Sequence, residues 1–351
     1  MNFTEDCNKI FRKLSLDENH YLNKKNTYEY YNSFWKNINL LSKGGYFKIC
    51  TIDSFCNKLK IGMNFTMNSY MQGISELMFS IYANAKGYSY EVDKCLKTTD
   101  NYDVDIQIKH NNYTFNIEVK TPNLMVKSDK RKLNVNTCFR TMNKNKNEKA
   151  KKIVEEDILR IISENSEGKY EGWSYKKLDD NKILEYLKSA QDKFIESDKN
   201  SINILVIAVE SEEMQNYWWY LYNRMSGIFT NSFEGKFRDK NNKVITSTDF
   251  NKTDVIYLTN IPSGHLKLSD EFDAWNLSSY CNLLCINYNS NKFINDKNSI
   301  MYSLICDLLP NVSKKFENGY KEFQKESEKK GIPLEFLYFP AFLTENFKKI
   351  Y

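Results

Sequence analysis

The stretch Tyr102-Asp103-Val104-Asp105-Ile106-Gln107-Ile108-Lys109, then His110-Asn111-Asn112-Tyr113, then Thr114-Phe115-Asn116-Ile117-Glu118-Val119-Lys120, decides how this chain is read. Val104, Ile106 and Ile108 share one face of the first arm, and Phe115, Ile117 and Val119 share one face of the second. This period-two pattern is that of a half-buried β-hairpin. Asparagine tolerates positive φ, so Asn111-Asn112 suits the two-residue turn. With the turn placed there, Asp105 faces Glu118 and Asp103 faces Lys120. Strict alternation would put all four on one polar face, beside Gln107 and Asn116. Three carboxylates and an ammonium gathered in this way form a candidate divalent-metal site with a cation at its side. The plain alternative is an exposed hairpin held by cross-strand ion pairs, each worth about 0.2–1 kcal/mol.

Outward from the hairpin, Ile74, Leu77, Met78, Ile81, Tyr82 and Ala85 recur at helical spacing between Met71 and Ala85, and Gly87 supplies the stop. Glu76 lies on the other side of this expected amphipathic helix, with Gln72, Phe79 and Ala83. Tyr88 to Leu96 reads as a first strand, and the hairpin supplies the second and third. Thr121-Pro122 ends the third, because proline has no N–H to donate. Residues 123–147 carry almost no helix or strand pattern. Ala150, Ile153, Val154, Ile158, Ile161 and Ile162 mark a second helix, and Ile183, Leu184, Leu187 and Phe194 a third. Ile202 to Val209 is a nearly continuous apolar run, as expected of a strand buried on both faces.

Asp103, a short linker and Glu118-Val119-Lys120 at the end of an apolar strand resemble the PD-(D/E)xK nuclease superfamily. The succession from about 71 to 209 is similar to that family's αβββαβ core. Tyr102 stands where the motif has proline. An acid, any residue and lysine occur five times here, ending at Lys120, Lys169, Lys182, Lys236 and Lys330, but only the first closes a strand-like arm with acids facing it. The resemblance implies an α/β, restriction-endonuclease-like fold and a Mg²⁺ or Mn²⁺ site, hard cations suited to carboxylate oxygens. It assigns catalytic roles to Asp103, Glu118, Lys120 and Glu76, with Asp105 as a further metal ligand and Lys120 holding the attacking water. Sequence leaves open which aspartate is the principal ligand; Asp103, which follows an aromatic residue, matches the motif better. The activity implied is metal-dependent endonucleolytic hydrolysis of DNA, with double-stranded DNA as partner and a homodimer as one way to cut both strands. A restriction or anti-phage role comes from the resemblance alone. The rivals are a catalytically silent nucleic-acid-binding or assembly protein of the same fold, and a nuclease acting on RNA or single strands.

Composition narrows the other classes. The 351 residues suffice for one large domain or two ordinary ones. No apolar run approaches the roughly 18 residues that cross a bilayer, and Met1-Asn2-Phe3-Thr4-Glu5-Asp6 lacks signal-peptide character, so the expectation is a cytoplasmic protein. Eight scattered cysteines without a Cys-x-x-Cys pair, and only His20, His110 and His265, give little support to structural zinc or to a Cys/His or Ser-His-Asp nucleophile. Net charge is +5, yet eleven basic residues lie between Lys120 and Lys152 against Asp129 and Glu148 alone. Such a run is either a solvated face or a grip on a polyanion. Lys127, Lys130, Arg131, Lys132, Arg140 and Lys144 are the candidate phosphate contacts.

The ends of the chain carry no catalytic motif. Residues 1–62 read as a helical extension (Asn8 to Leu16, Thr27 to Leu41, broken at Gly44-Gly45), 63–210 as the nuclease core and 211–351 as an α+β region. The last has strands near Val255–Thr259 and Cys281–Tyr288, helices near Ser299–Leu309 and Val312–Lys330, and aromatic Phe336–Phe342. The cluster Tyr217-Trp218-Trp219-Tyr220-Leu221-Tyr222 with Arg224 is either core or a base-stacking platform.

Overall fold

A computed structural model of the chain describes residues 3–24, 28–97, 103–124, 132–136, 152–153, 156–157, 159–165, 172–176, 183–222, 227–229, 237–238, 244–267, 272–287, 289–292, 300–311 and Lys329. Helices α1 (Glu5–Ser15), α2 (Tyr21–Lys24), α3 (Tyr28–Lys43), α4 (Tyr46–Ile49), α5 (Ile52–Leu59) and α6 (Met67–Lys86) come first. Strands β1 (Ser89–Cys95), β2 (Asp103–His110), β3 (Tyr113–Lys120) and β4 (Lys132–Asn136) follow, then α7 (Leu159–Glu164), β5 (Gly172–Lys176), α8 (Ile183–Lys193) and β6 (Ser201–Ala208). Beyond them lie α9 (Ser211–Tyr222), the short pair β7 (Phe237–Arg238) and β8 (Val244–Ile245), β9 (Val255–Thr259), α10 (Ile261–Lys267), β10 (Asn282–Ile286) and α11 (Ile300–Leu308).

One six-stranded mixed sheet organises these elements, in the order β1-β2-β3-β6-β9-β10. β2 runs antiparallel to both β1 and β3, β3, β6 and β9 are mutually parallel, and β10 turns back antiparallel to β9. Every residue of β6 is buried, which is why its sequence reads as a nearly continuous apolar run, broken only at Asn203. Ile106, Ile108, Phe115, Ile117, Val119, Ile202, Ile204 and Val206 pack with α1, α3, α5 and α6 on one side. Leu205, Ile207, Ile256 and Leu258 pack with α8 and α9 on the other. Each fully buried Ile, Leu or Val contributes about 1.5–3 kcal/mol relative to exposure. The sheet runs on past the boundary placed near 210, with β9 and β10 as its fifth and sixth strands.

The helix read as amphipathic over Met71–Ala85 is instead central. α6 buries Phe79 and Ala83 as well as Ile74, Leu77, Met78, Ile81 and Tyr82, whereas Ala85 is exposed. The sheet takes one side of it and α3 and α5 take the other, so that only a narrow line through Asn68, Gln72 and Glu76 and the last turn still meet water. Thr66 caps its first turn, and Gly87 at φ 70° ends it by donating to the Ala83 and Asn84 carbonyls.

Two further expectations change. Residues 123–147 are not without strand structure, since β4 pairs in parallel with β5. Ile153 and Ile161 are 56% and 51% exposed, so these two members of the expected second apolar stripe do not reach the core. Of the aromatic cluster, Tyr217, Tyr220 and Leu221 are buried in the layer beneath α9, in keeping with the core reading and not with base stacking by these three. The side chains of Trp219, Tyr222 and Arg224, the segment 312–328 and residues 336–342 lie outside the described residues. Among the described residues no helix is long and apolar enough to cross a membrane.

Candidate active site

The hairpin forms in the register its turn dictates. Asn111 and Asn112 hold φ of 50° and 65°, the left-handed pair that matches the twist of the flanking strands. The ladder runs from His110 opposite Tyr113 to Ile106 opposite Ile117. On the same face, Gln107 Nε2 donates to Asn116 Oδ1 and Asn116 Nδ2 to Asn203 Oδ1, each at 2.8 Å. Asn203, hidden inside the apolar run of β6, completes a buried amide chain across three strands.

Past Ile106 the alternation breaks, and the expected single polar face is not realised. Val92 pairs with Ile106 and Lys94 with Val104, but Asp93, at φ 49°, and Asp105 drop out of the ladder between them. Val104 then packs against Ile183 and Leu187, on the face opposite Ile106 and Ile108. Asp105 turns toward α5 and α6, lining a recess with Tyr46, Lys58, Gly73, Glu76 and Ser80. Its Oδ2 accepts the Val119 N–H at 2.6 Å, so a carboxylate serves this amide where the ladder has stopped. Asp103 is exposed at the start of β2, opposite Cys95, and its carboxylate has no ion pair or hydrogen bond among the described residues.

Glu118 is 0% exposed, and its Oε1 takes two ammoniums, Lys120 Nζ and Lys193 Nζ, each at 2.6 Å. Its Oε2 is buried with no hydrogen-bond partner among the described residues. Glu76, on the α6 side, accepts from Gln72 Nε2 at 2.8 Å and lies 3.1 Å from Lys58 Nζ, which also reaches Asp93 at 2.6 Å. Gln72 staples the helix to the end of β3 by donating to Val119 O at 3.0 Å and accepting from Thr121 N at 2.8 Å.

These groups shift one another's protonation. Burial pushes the Asp105 carboxyl well above the usual carboxylate range, and Glu76 and Glu118 push it further; the Val119 N–H and Lys193 pull the other way. Burial alone would lower Lys58, yet Glu76, Asp93 and Asp105 hold it above the ordinary lysine value. Lys193 is raised in the same manner, burial opposing and Glu118, Asp105 and Glu76 prevailing.

Charges of both signs therefore meet at the end of the hairpin. Lys58 lies against Glu76 and Asp93, Lys120 and Lys193 lie against Glu118, and Lys193 also feels Asp105 and Glu76. Of the residues expected from sequence, Asp105, Glu118, Lys120 and Glu76 come together; Asp103 does not join them. Lys193 and Lys58 were missed, because each arrives from a different element. Gly73 is the one trace of the second: a Cβ there would stand 2.2 Å from Lys58 O, so the glycine admits α5 against α6.

Among the described residues no three His, Cys, Asp or Glu side chains are gathered into a ready metal shell. Lys127, Lys130, Arg131, Arg140 and Lys144 lie outside the described residues, and Lys132 is placed only as backbone, at the start of β4. Comparison of the chain with protein-family models, with curated proteins and with solved structures finds no match.

Proposed function

We propose that this protein is a divalent-metal-dependent nuclease, with a restriction-endonuclease-like core, that hydrolyses phosphodiester bonds of double-stranded DNA. The observation that carries this reading is the cluster at the hairpin's end, where Glu76, Asp105 and Glu118 lie together with Lys58, Lys120 and Lys193. Hydrolysis of a phosphodiester calls for both, a hard cation to acidify water and positive charge to take up what develops on phosphate. The succession of α6, β1, β2, β3, α8 and β6, with β4, α7 and β5 inserted between β3 and α8, supports the fold, since the main sheet keeps the αβββαβ order expected of such a core.

The donor set suits Mg²⁺ or Mn²⁺. Asp105, Glu76 and Glu118 offer only hard oxygens, and Glu118 Oε2 is a buried acceptor with no hydrogen-bond partner among the described residues. These three residues would hold the ion, which when bound makes its water a stronger nucleophile and neutralises phosphate charge. Holding it requires Glu76 and Glu118 to turn from the lysines they now face. Asp105, and not Asp103, takes the place of the principal aspartate in this reading, because Asp103 stands exposed and apart. Lys120, on the last residue of β3, donates to the attacking water or to a phosphate oxygen.

A second reading has its own observation. The carboxylates already lie against Lys58, Lys120 and Lys193, as in a protein that kept the fold and binds nucleic acid without cutting it. Incubation with supercoiled plasmid in Mg²⁺ or Mn²⁺ separates the two. The nuclease reading expects nicked and linear products, abolished by Lys120→Ala while duplex binding persists; intact plasmid in both metals, with binding retained, establishes the silent reading instead.

A further inference from the structure

We infer that Lys193 is a second phosphate-binding residue of this site, presenting its ammonium with that of Lys120 to the non-bridging oxygens of one backbone phosphate. The inference deepens the nuclease reading and rests on it for the identity of the ligand. Both nitrogens stand 2.6 Å from the same oxygen, Glu118 Oε1, so they lie within about twice that distance of each other. An ammonium has three protons to donate. Neither lysine has a hydrogen-bond or ion-pair partner other than Glu118 among the described residues. Access fits as well, because the Lys120 and Lys193 side chains are 23% and 20% exposed while Glu118 is closed to solvent.

The position of Lys193 is built. Ile183, Leu187, Ala190 and Phe194 are buried and seat α8 on the sheet. At the helix end, Gln191 Nε2 donates to Asn251 Oδ1 at 2.7 Å and Gln191 Oε1 accepts from Lys252 N at 3.1 Å. Asn203 Nδ2 donates to the Ile195 carbonyl at 2.8 Å, just beyond. Lys193 therefore leaves a segment pinned on both sides of it. Glu118 Oε2, buried and without a hydrogen-bond partner among the described residues, is an acceptor and so suits a cation; Glu118 turning to that cation would leave both ammoniums to phosphate.

The test measures binding of a fluorescently labelled duplex oligonucleotide in EDTA, as a function of salt, alongside plasmid cleavage in Mg²⁺. Each phosphate contact adds about one unit to the slope of log affinity against log salt. Lys193→Gln keeps a donor for Glu118 but removes the charge, so the expected slope is smaller by about one, while Lys193→Arg keeps the slope of the unaltered protein. Thermal melting of both variants is followed in parallel. A loss of melting temperature with an unchanged slope in Lys193→Gln marks a purely structural lysine and overturns the inference. Cleavage by the unaltered protein, with Lys193→Gln binding and cutting equally well, overturns it while leaving the nuclease reading intact. No cleavage by the unaltered protein, with the slope still reduced in Lys193→Gln, removes the nuclease reading and leaves the phosphate contact standing.

Discussion

Asp254→Asn should change how the stability of this protein depends on pH, and the size of the change follows from one buried carboxylate. Asp254 precedes β9 and is 1% exposed. Its Oδ2 accepts the Asn203 N–H at 2.9 Å and the Ser197 hydroxyl at 2.5 Å. Burial pushes its carboxyl from 3.8 up to about 6, against the pull of Ser197, the Asn203 N–H and Lys292. A shift of roughly two units, at about 1.4 kcal/mol each, corresponds to about 3 kcal/mol. Because the folded pKa is the higher one, the folded chain holds this proton more tightly than the unfolded chain. The associated stability is complete below about pH 3.8 and is lost as pH rises through about 6. Asparagine cannot ionise and retains an acceptor for Asn203 and Ser197. The stability of Asp254→Asn relative to the unaltered protein should therefore rise by about 3 kcal/mol between roughly pH 4 and pH 7. His265 acts in the opposite sense: burial lowers it from 6.5 to about 3, so its contribution is complete above 6.5 and is lost as pH falls through 3. Either profile alone mixes the two effects, whereas the difference between variant and unaltered protein removes His265 from the comparison. Urea denaturation of both proteins at closely spaced pH values gives that difference. A difference constant across the range refutes the reasoning.

Gly73→Ala should destabilise the fold by about 1–3 kcal/mol despite alanine's better helix propensity, because overpacking here meets the Lys58 carbonyl, at 2.2 Å from the new Cβ, which no rotamer change can relieve. Thermal melting checks it, and an unaltered or raised midpoint contradicts the close approach of α5 to α6. Asn112→Ala should cost about 1 kcal/mol because position 112 holds φ 65°, whereas Asn112→Gly should leave the denaturation midpoint no lower than it was. Equal midpoints for the two variants would mean that the left-handed turn does not set the register.

What could be read from sequence, and what could not, divides along physical lines. The hairpin was legible because both of its determinants are local. Apolar alternation gives the face, and two asparagines with positive φ give the register, so Gln107 opposite Asn116 followed without knowledge of the rest. The same alternation misplaced Asp105, because the rule assumes an unbroken ladder. Once Asp93 adopts positive φ and Asp105 leaves the pairing, the parity of β2 changes and its carboxylate turns to the helix side. No spacing encodes that break, which arises where β2 is still paired with β1 but has parted from β3. Lys58 and Lys193 were invisible for a different reason: they lie 18 residues before Glu76 and 75 after Glu118, and only the packing of α5 and α8 on opposite faces of one sheet brings them to the same strand end. Local pattern thus locates a strand end and its acids, but the charges that balance those acids are delivered by helices. The pairing is unequal, two ammoniums against Glu118 and one against Glu76 and Asp93 together, and no local rule of spacing could have set it, because each helix brings its lysine from a separate part of the chain.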